Sequence, residues 1–372
     1  MISKIFTALM IAVVFSVNAF ASNTDEYYKD SLEASGAKEL ADYLSDETED
    51  YLEKLGCDGL DFEKILYVSP ESVFSLILDT VREGYKKPLK CALSASGIVL
   101  LASASSAFFS NDEKTGAILN IIFGGALVLC IFIPASQSIK AAVSAMQMCS
   151  DFEKALVPVL AGILTAGGNP ALALSFKGAA FAAAEFVQAF SNDFALPLAG
   201  VSGDLSVSGA MLPTLRLNAI SDVIRKTLVT TLGCMTGLFT GFLSLKSILA
   251  SSADSMIVKG VKMAASFVPV VGGALGEAYT SVAASISLLK STVGIYAIIV
   301  LALTCIPSAA SLFMWSLAMR ISCTVSELTD CRVCSDILKA VSFIFSMTNA
   351  ILLLCFAVFA VSSGIVLSIR GG

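Results

Sequence analysis

From Ser291 to Met319 the chain runs 29 residues without a charged side chain, and from Ala340 to Ile369 it does so again for 30. About 20 apolar residues suffice to cross the hydrocarbon core of a bilayer as a helix. Inside that core every backbone N–H and C=O must be paired within the protein, which helices achieve segment by segment. The expected class is therefore an all-α, polytopic integral membrane protein. Composition agrees: 56% of the 372 residues are hydrophobic and 15% are charged. A soluble domain carries about 25% charged residues, and the mean hydropathy here is +0.82.

The first 21 residues, MISKIFTALMIAVVFSVNAFA, place Lys4 before an apolar stretch and end with Ala19 and Ala21 around Phe20. That layout predicts a cleaved secretory signal over 1–21. Residues 22–90 hold 17 Asp and Glu against 8 Lys and Arg, whereas residues 91–372 hold 13 against 15. The net charge of −6 thus divides into an acidic extracytoplasmic helical head, 22–90, and a nearly neutral membrane body. A solvated face is the plain reading of such a head, and a surface for cations or basic partners is the other. Phe74, Leu76, Ile77 and Val81 repeat at helical spacing after the start Ser69-Pro70-Glu71. Orientation is internally conflicted, because Lys86, Lys87 and Lys90 would favour the cytoplasmic side while a cleaved signal puts them outside.

Apolar length and punctuation predict spans at 91–110, 116–136, 227–250, 291–320 and 340–369. Two further segments are interrupted: LVPVLAGILTAGG, ending at Gly168, and SFVPVVGGALG, ending at Gly276. Pro158 and Pro269 lie 111 positions apart, as do Gly162 and Gly273. Each segment follows a span and a surface helix and leads into a small-residue helix. The expected organisation is two inverted or tandem repeats with Pro/Gly-broken segments: 91–195, a Gly/Pro-rich divide at 196–213, 214–290, and C-terminal transmembrane helices over 291–372. Broken backbone at membrane depth is tolerated where it is buried in protein or lines a cavity. Pro158, Gly162, Gly167, Gly168, Pro269, Gly272, Gly273 and Glu277 are thus candidates for a path or a subunit contact. Two Pro-kinked helices packing through their glycines fit the same residues.

Lys177, Glu185 and Lys246 stand within apolar stretches, where an ionisable side chain is a functional candidate. The chain contains no histidine, so Ser-His and Cys-His nucleophile systems and histidine metal sites are excluded. GGALGEA lacks the lysine and flanking strand of a phosphate cradle. Ten cysteines are spread along the chain, and the one pattern, Cys323 with Cys331-x-x-Cys334, lacks a fourth well-spaced ligand. These are read as loop thiols without metal, and neither catalytic residue nor cofactor nor nucleic acid is expected.

Residues 145–169, SAMQMCSDFEKALVPVLAGILTAGGN with its leading Ser144, and 254–294 resemble the stage III sporulation protein AE family, in order with the Pro-containing span and the final span. Phe152, Leu156, Pro158, Gly167 and Gly168 fit its first signature; Phe267, Pro269, Val271, Gly272, Gly273, Leu289, Lys290, Val293 and Gly294 fit its second. Ser291 and Thr292 depart from it, standing where the family often has Asn. The resemblance implies a multi-pass protein of the mother-cell membrane around the forespore. It implies partners too: other stage III sporulation membrane proteins and a forespore-side protein, assembled with membrane lipid around them into a channel or secretion-like complex. A stand-alone secondary transporter and a membrane scaffold are the alternatives that the residues leave open.

Overall fold

The computed structural model describes residue 32 and residues 35–57, 68, 70–109, 113–168, 170–212, 217–237 and 272–368. The expected signal, Lys246 and Pro269 lie outside them. Every element among the described residues is helical. A 3-10 turn (Ala37–Tyr43) precedes α1 (Asp46–Lys54), α2 (Pro70–Gly84), α3 (Lys86–Phe108), α4 (Glu113–Ala166) and α5 (Pro170–Ala189). A π-helical turn (Phe190–Ala195) then leads into α6 (Leu196–Met211), α7 (217–237), α8 (Gly272–Leu328) and α9 (Arg332–Ser368). Four stretches are long and apolar enough to cross a membrane: Lys86–Phe108, Ile118–Ala166, Ile286–Leu328 and Arg332–Gly364.

The expected break at Pro158 does not occur, since α4 runs 54 residues through both Pro134 and Pro158. Proline removes one N–H and crowds the preceding turn, but in apolar surroundings breaking the helix would strip several groups of partners at once. At Pro134 the consequence is visible: the Cys130 carbonyl, which has no N–H four residues on, accepts from Cys91 Sγ at 3.6 Å. The chain turns only at Gly167 and Gly168. There the Gly168 N–H donates to Thr165 O at 3.0 Å and its φ of 82° is a conformation that glycine adopts freely.

The same chemistry separates the two expected repeats. At the 111-residue offset, Ala278 and Tyr279 stand where Gly167 and Gly168 do, and α8 continues through them as one helix of 57 residues. A helical hairpin in the first unit therefore has no counterpart in the second. The stretch 196–213, expected as a divide, forms α6, and Gly203 lets it lie against Ile344 of α9. Cys323, read as a loop thiol, lies within α8.

α8 and α9 form the central antiparallel pair, with 56% and 61% of their most apolar windows buried, against 28% for α3 and 22% for α4. Small hydroxyl residues knit them: Ser316 Oγ lies 2.8 Å from Ser346 Oγ and 3.3 Å from Ser342 Oγ. Trp315 is fully buried, stacks on Phe345 with centroids 5.6 Å apart, and donates its indole N–H to Ser138 Oγ on α4 at 2.8 Å. α3 runs parallel to α8, because Ser96 meets Ser322 and Ser103 meets the Thr329 carbonyl at the same offset of 226. The outer faces of α3 and α4 expose Leu93, Leu100, Leu101, Ile122, Leu129 and Phe132, a surface suited to lipid.

Part of the acidic segment packs on this bundle. Ser45 caps α1 by accepting from the Thr48 N–H at 3.2 Å, and Asp46, Glu47 and Glu49 complement the dipole in its first turn. The Thr48 hydroxyl then reaches Thr304 Oγ1 of α8 at 3.1 Å. Thr304 and Thr329 are 25 positions apart, roughly 37 Å of helix at 1.5 Å per residue. The α1 contact at Thr304 and the α8–α9 turn thus lie far apart along α8.

Candidate functional site

Pro158 and Gly162 lie one turn apart on α4, and both are exposed. A Cβ placed on Gly162 would meet nothing within 4 Å, so among the described residues that glycine meets no neighbouring helix. Gly167 is half-buried, and a Cβ there would stand 3.4 Å from Ile286 of α8. Lys177 and Glu185 are both exposed on α5. Gly272, Gly273 and Glu277 fall in the opening turns of α8. The expected path residues that are described with their surroundings therefore point mostly outward.

Glu185 belongs to a polar junction between α4 and α5. Lys154 Nζ lies 2.9 Å from Glu185 Oε1 and donates to Gln188 Oε1 at 2.8 Å, and Ser150 Oγ donates to the same Gln188 oxygen at 2.9 Å. An exposed ion pair of this kind contributes about 1 kcal/mol or less. Lys154→Glu alone should weaken the α4–α5 hairpin by about 1 kcal/mol, and adding Glu185→Lys should recover most of it. A double-mutant cycle of unfolding midpoints in detergent checks this; recovery of nothing would mean that the pair contributes no coupling.

The residue that sequence reading passed over is Glu153. Its side chain is 1% exposed, and neither carboxylate oxygen has a hydrogen-bond partner; the Ser362 hydroxyl of α9 stands beside it without bonding geometry. Thiols surround it. Cys149 Sγ on α4 is 3.2 Å from Cys305 Sγ on α8, and Cys355 Sγ on α9 is 3.4 Å from Ser191 Oγ in the π-helical turn. Asn192 in that turn has a buried, unpartnered Oδ1. Four elements thus converge on a polar pocket of side chains within the bundle, and π turns recur at functional positions. The signal was present in spacing: Cys149, Glu153, Leu156 and Leu160 are all buried at intervals of four, three and four.

A second ionisable group also lies inside. Arg225 on α7 donates to Ser206 Oγ of α6 at 2.9 Å, and its guanidinium sits 4.7 Å above the Phe343 ring of α9. Its Nε is buried without an acceptor. Ser221 completes the patch by donating to the Ser202 carbonyl at 2.7 Å. Among the described residues no three His, Cys, Asp or Glu side chains are placed to hold a metal ion.

An all-helical body with four membrane-length apolar helices, lipid-suited outer faces and a buried carboxyl defines an integral membrane protein. The chain belongs to the Stage III sporulation protein AE family, whose pattern it matches over residues 56–369. Among curated proteins it is similar to the Stage III sporulation protein AE of Bacillus subtilis (strain 168), at 24% identity over 226 residues. That alignment covers 59% of this chain and 56% of the relative, so the chain spans little more than half the length of the curated relative it matches. No solved structure matches.

Proposed function

We propose that this chain is a non-enzymatic, polytopic subunit of a channel or secretion-like complex linking mother cell and forespore and needed for forespore development. Family membership supports the setting. The observation that carries the subunit reading is the exposure of Pro158 and Gly162 on α4 and of Lys177 and Glu185 on α5, with no described residue against Gly162. Small residues on an outer helix face admit a second helix closely. A stand-alone transporter would instead need an interrupted helix facing an interior site, and α4 is continuous through Pro158. The partners are then other stage III sporulation membrane proteins, with a forespore-side protein completing the conduit, and the location is the mother-cell membrane around the forespore. Pro269, Gly272, Gly273 and Glu277 are proposed as contacts of the same assembly.

Single cysteines at Gly162 and Gly273, in a chain otherwise free of cysteine, test this in sporulating cells. Gly162→Cys should cross-link to another stage III protein and should resist a membrane-impermeant thiol reagent until that partner is deleted. Free labelling with the partner present, combined with solute uptake by liposomes holding this chain alone, would favour the transporter. Cross-linking together with labelling at Gly273 would place the second segment by water, and cross-linking without it would leave a scaffold role.

A further inference from the structure

The turn between α8 and α9 carries a second chemistry. Asp330 adopts a left-handed φ of 49°, and the Cys331 N–H closes the end of α8 by donating to Ser326 O at 3.0 Å. The Cys331 carbonyl accepts from the Ser335 N–H at 3.0 Å and from Ser326 Oγ at 2.7 Å. Cys331 is therefore the N-cap of α9 and Cys334 its third residue, one helical turn on. The two thiols are thus brought to one turn at the start of the same helix. The two differ in access: Cys331 is partly exposed and Cys334 is 1% exposed.

Three features suit this pair to thiol exchange. Cys331 stands at the N-terminus of a 37-residue helix, which favours negative charge there, and the neighbouring Cys334 thiol lowers the Cys331 thiol from its ordinary range. The more accessible sulfur is also the more acidic one, so attack and resolution are assigned to different residues. A bond across so few residues closes a very short loop and removes little entropy from the unfolded chain, which disfavours a purely structural staple. Cys323, one turn below, is engaged elsewhere, 3.7 Å from Ser335 Oγ.

We propose that Cys331 and Cys334 form a reversible dithiol–disulfide site that exchanges with a low-molecular-weight disulfide. The Cys331 thiolate attacks one sulfur of that disulfide, its S–S bond breaks, and one thiolate leaves. Cys334 then gives its proton to solvent and attacks the Cys331 sulfur of the mixed disulfide, expelling the second thiolate. The chain loses two protons and two electrons in all, and the small disulfide takes them up to become two thiols.

Oxidised glutathione is a suitable probe, applied to membranes carrying the full chain, followed by alkylation, trypsin and mass spectrometry. Cleavage after Arg320, Arg332 and Lys339 separates 321–332 from 333–339, so a Cys331–Cys334 bond joins two peptides. The joined form should rise with the ratio of oxidised to reduced glutathione and disappear under excess reduced glutathione. Cys334→Ser should trap one glutathionyl group on Cys331, and Cys331→Ser should leave Cys334 unmodified. A joined form that fails to appear at any ratio, or that links through Cys323, overturns the proposal, as does glutathione on Cys334 first. The unmutated chain decides the matter alone should either variant misfold.

Discussion

Glu153→Leu is expected to make the bundle harder to unfold and, at the same time, to abolish complementation. The carboxyl is 1% exposed and both oxygens lack a hydrogen-bond partner. A buried polar group without partners costs about 1–3 kcal/mol, and an apolar replacement of similar volume removes that cost. A residue that weakens its own fold and lies in a cluster with Cys149, Cys305, Cys355 and Ser191 is best explained by what it does. The measurement is a pair: the midpoint of unfolding in a denaturing-detergent titration, and heat-resistant spores from a host whose own copy is deleted. A higher midpoint with few spores supports the assignment. A lower midpoint would mean that the carboxyl has an unrecognised structural partner, and a full spore count would remove its functional role. Glu153→Lys should do more, adding a cation beside Lys154 in the same enclosed space, and should leave little folded protein.

Trp315→Ala should have the largest effect on stability of any single truncation. The indole is fully buried, stacks on Phe345 and donates to Ser138 Oγ, so it joins α8 to both α9 and α4. Truncating a buried tryptophan costs about 3–5 kcal/mol in cavity and lost contacts. Trp315→Phe keeps most of the packing and loses the hydrogen bond, for about 1 kcal/mol. Both are read from the same detergent titration. Equal losses for the two variants would mean that the N–H contact to Ser138, rather than the packing, holds the three helices together.

How much was legible in advance can be argued from particular residues. The uncharged runs at 291–319 and 340–369 announce membrane helices because lipid leaves the backbone no other economical choice. The helix α4 ends at Gly167-Gly168, where Gly168 takes a positive φ. Pro158 was misjudged: proline's missing N–H is a local cost, and the surrounding helix of 54 residues outweighs it. Reading the stretch before the first interrupted segment as a surface helix left Glu153 unremarked. Only the packing of α8, α9 and the π turn against α4 reveals that Glu153 points inward while Asp151 and Lys154 do not.

The sequence by itself determined what depends on the solvent: a chain this apolar must pair its backbone internally, so its class and its helical content follow from composition and local chemistry. The direction each helix faces was decided by the tertiary structure alone. Pro158 and Gly162 turn outward, Glu153 and Arg225 turn inward, and Cys331 meets Cys334 at a helix start. In a lipid-facing bundle apolar residues suit the inside and the outside equally, so hydrophobic periodicity loses its power to say which face is buried. That choice falls to hydroxyl contacts such as Ser316 with Ser346, to the Trp315 anchor on Ser138, and to side-chain shape across helices far apart in the chain.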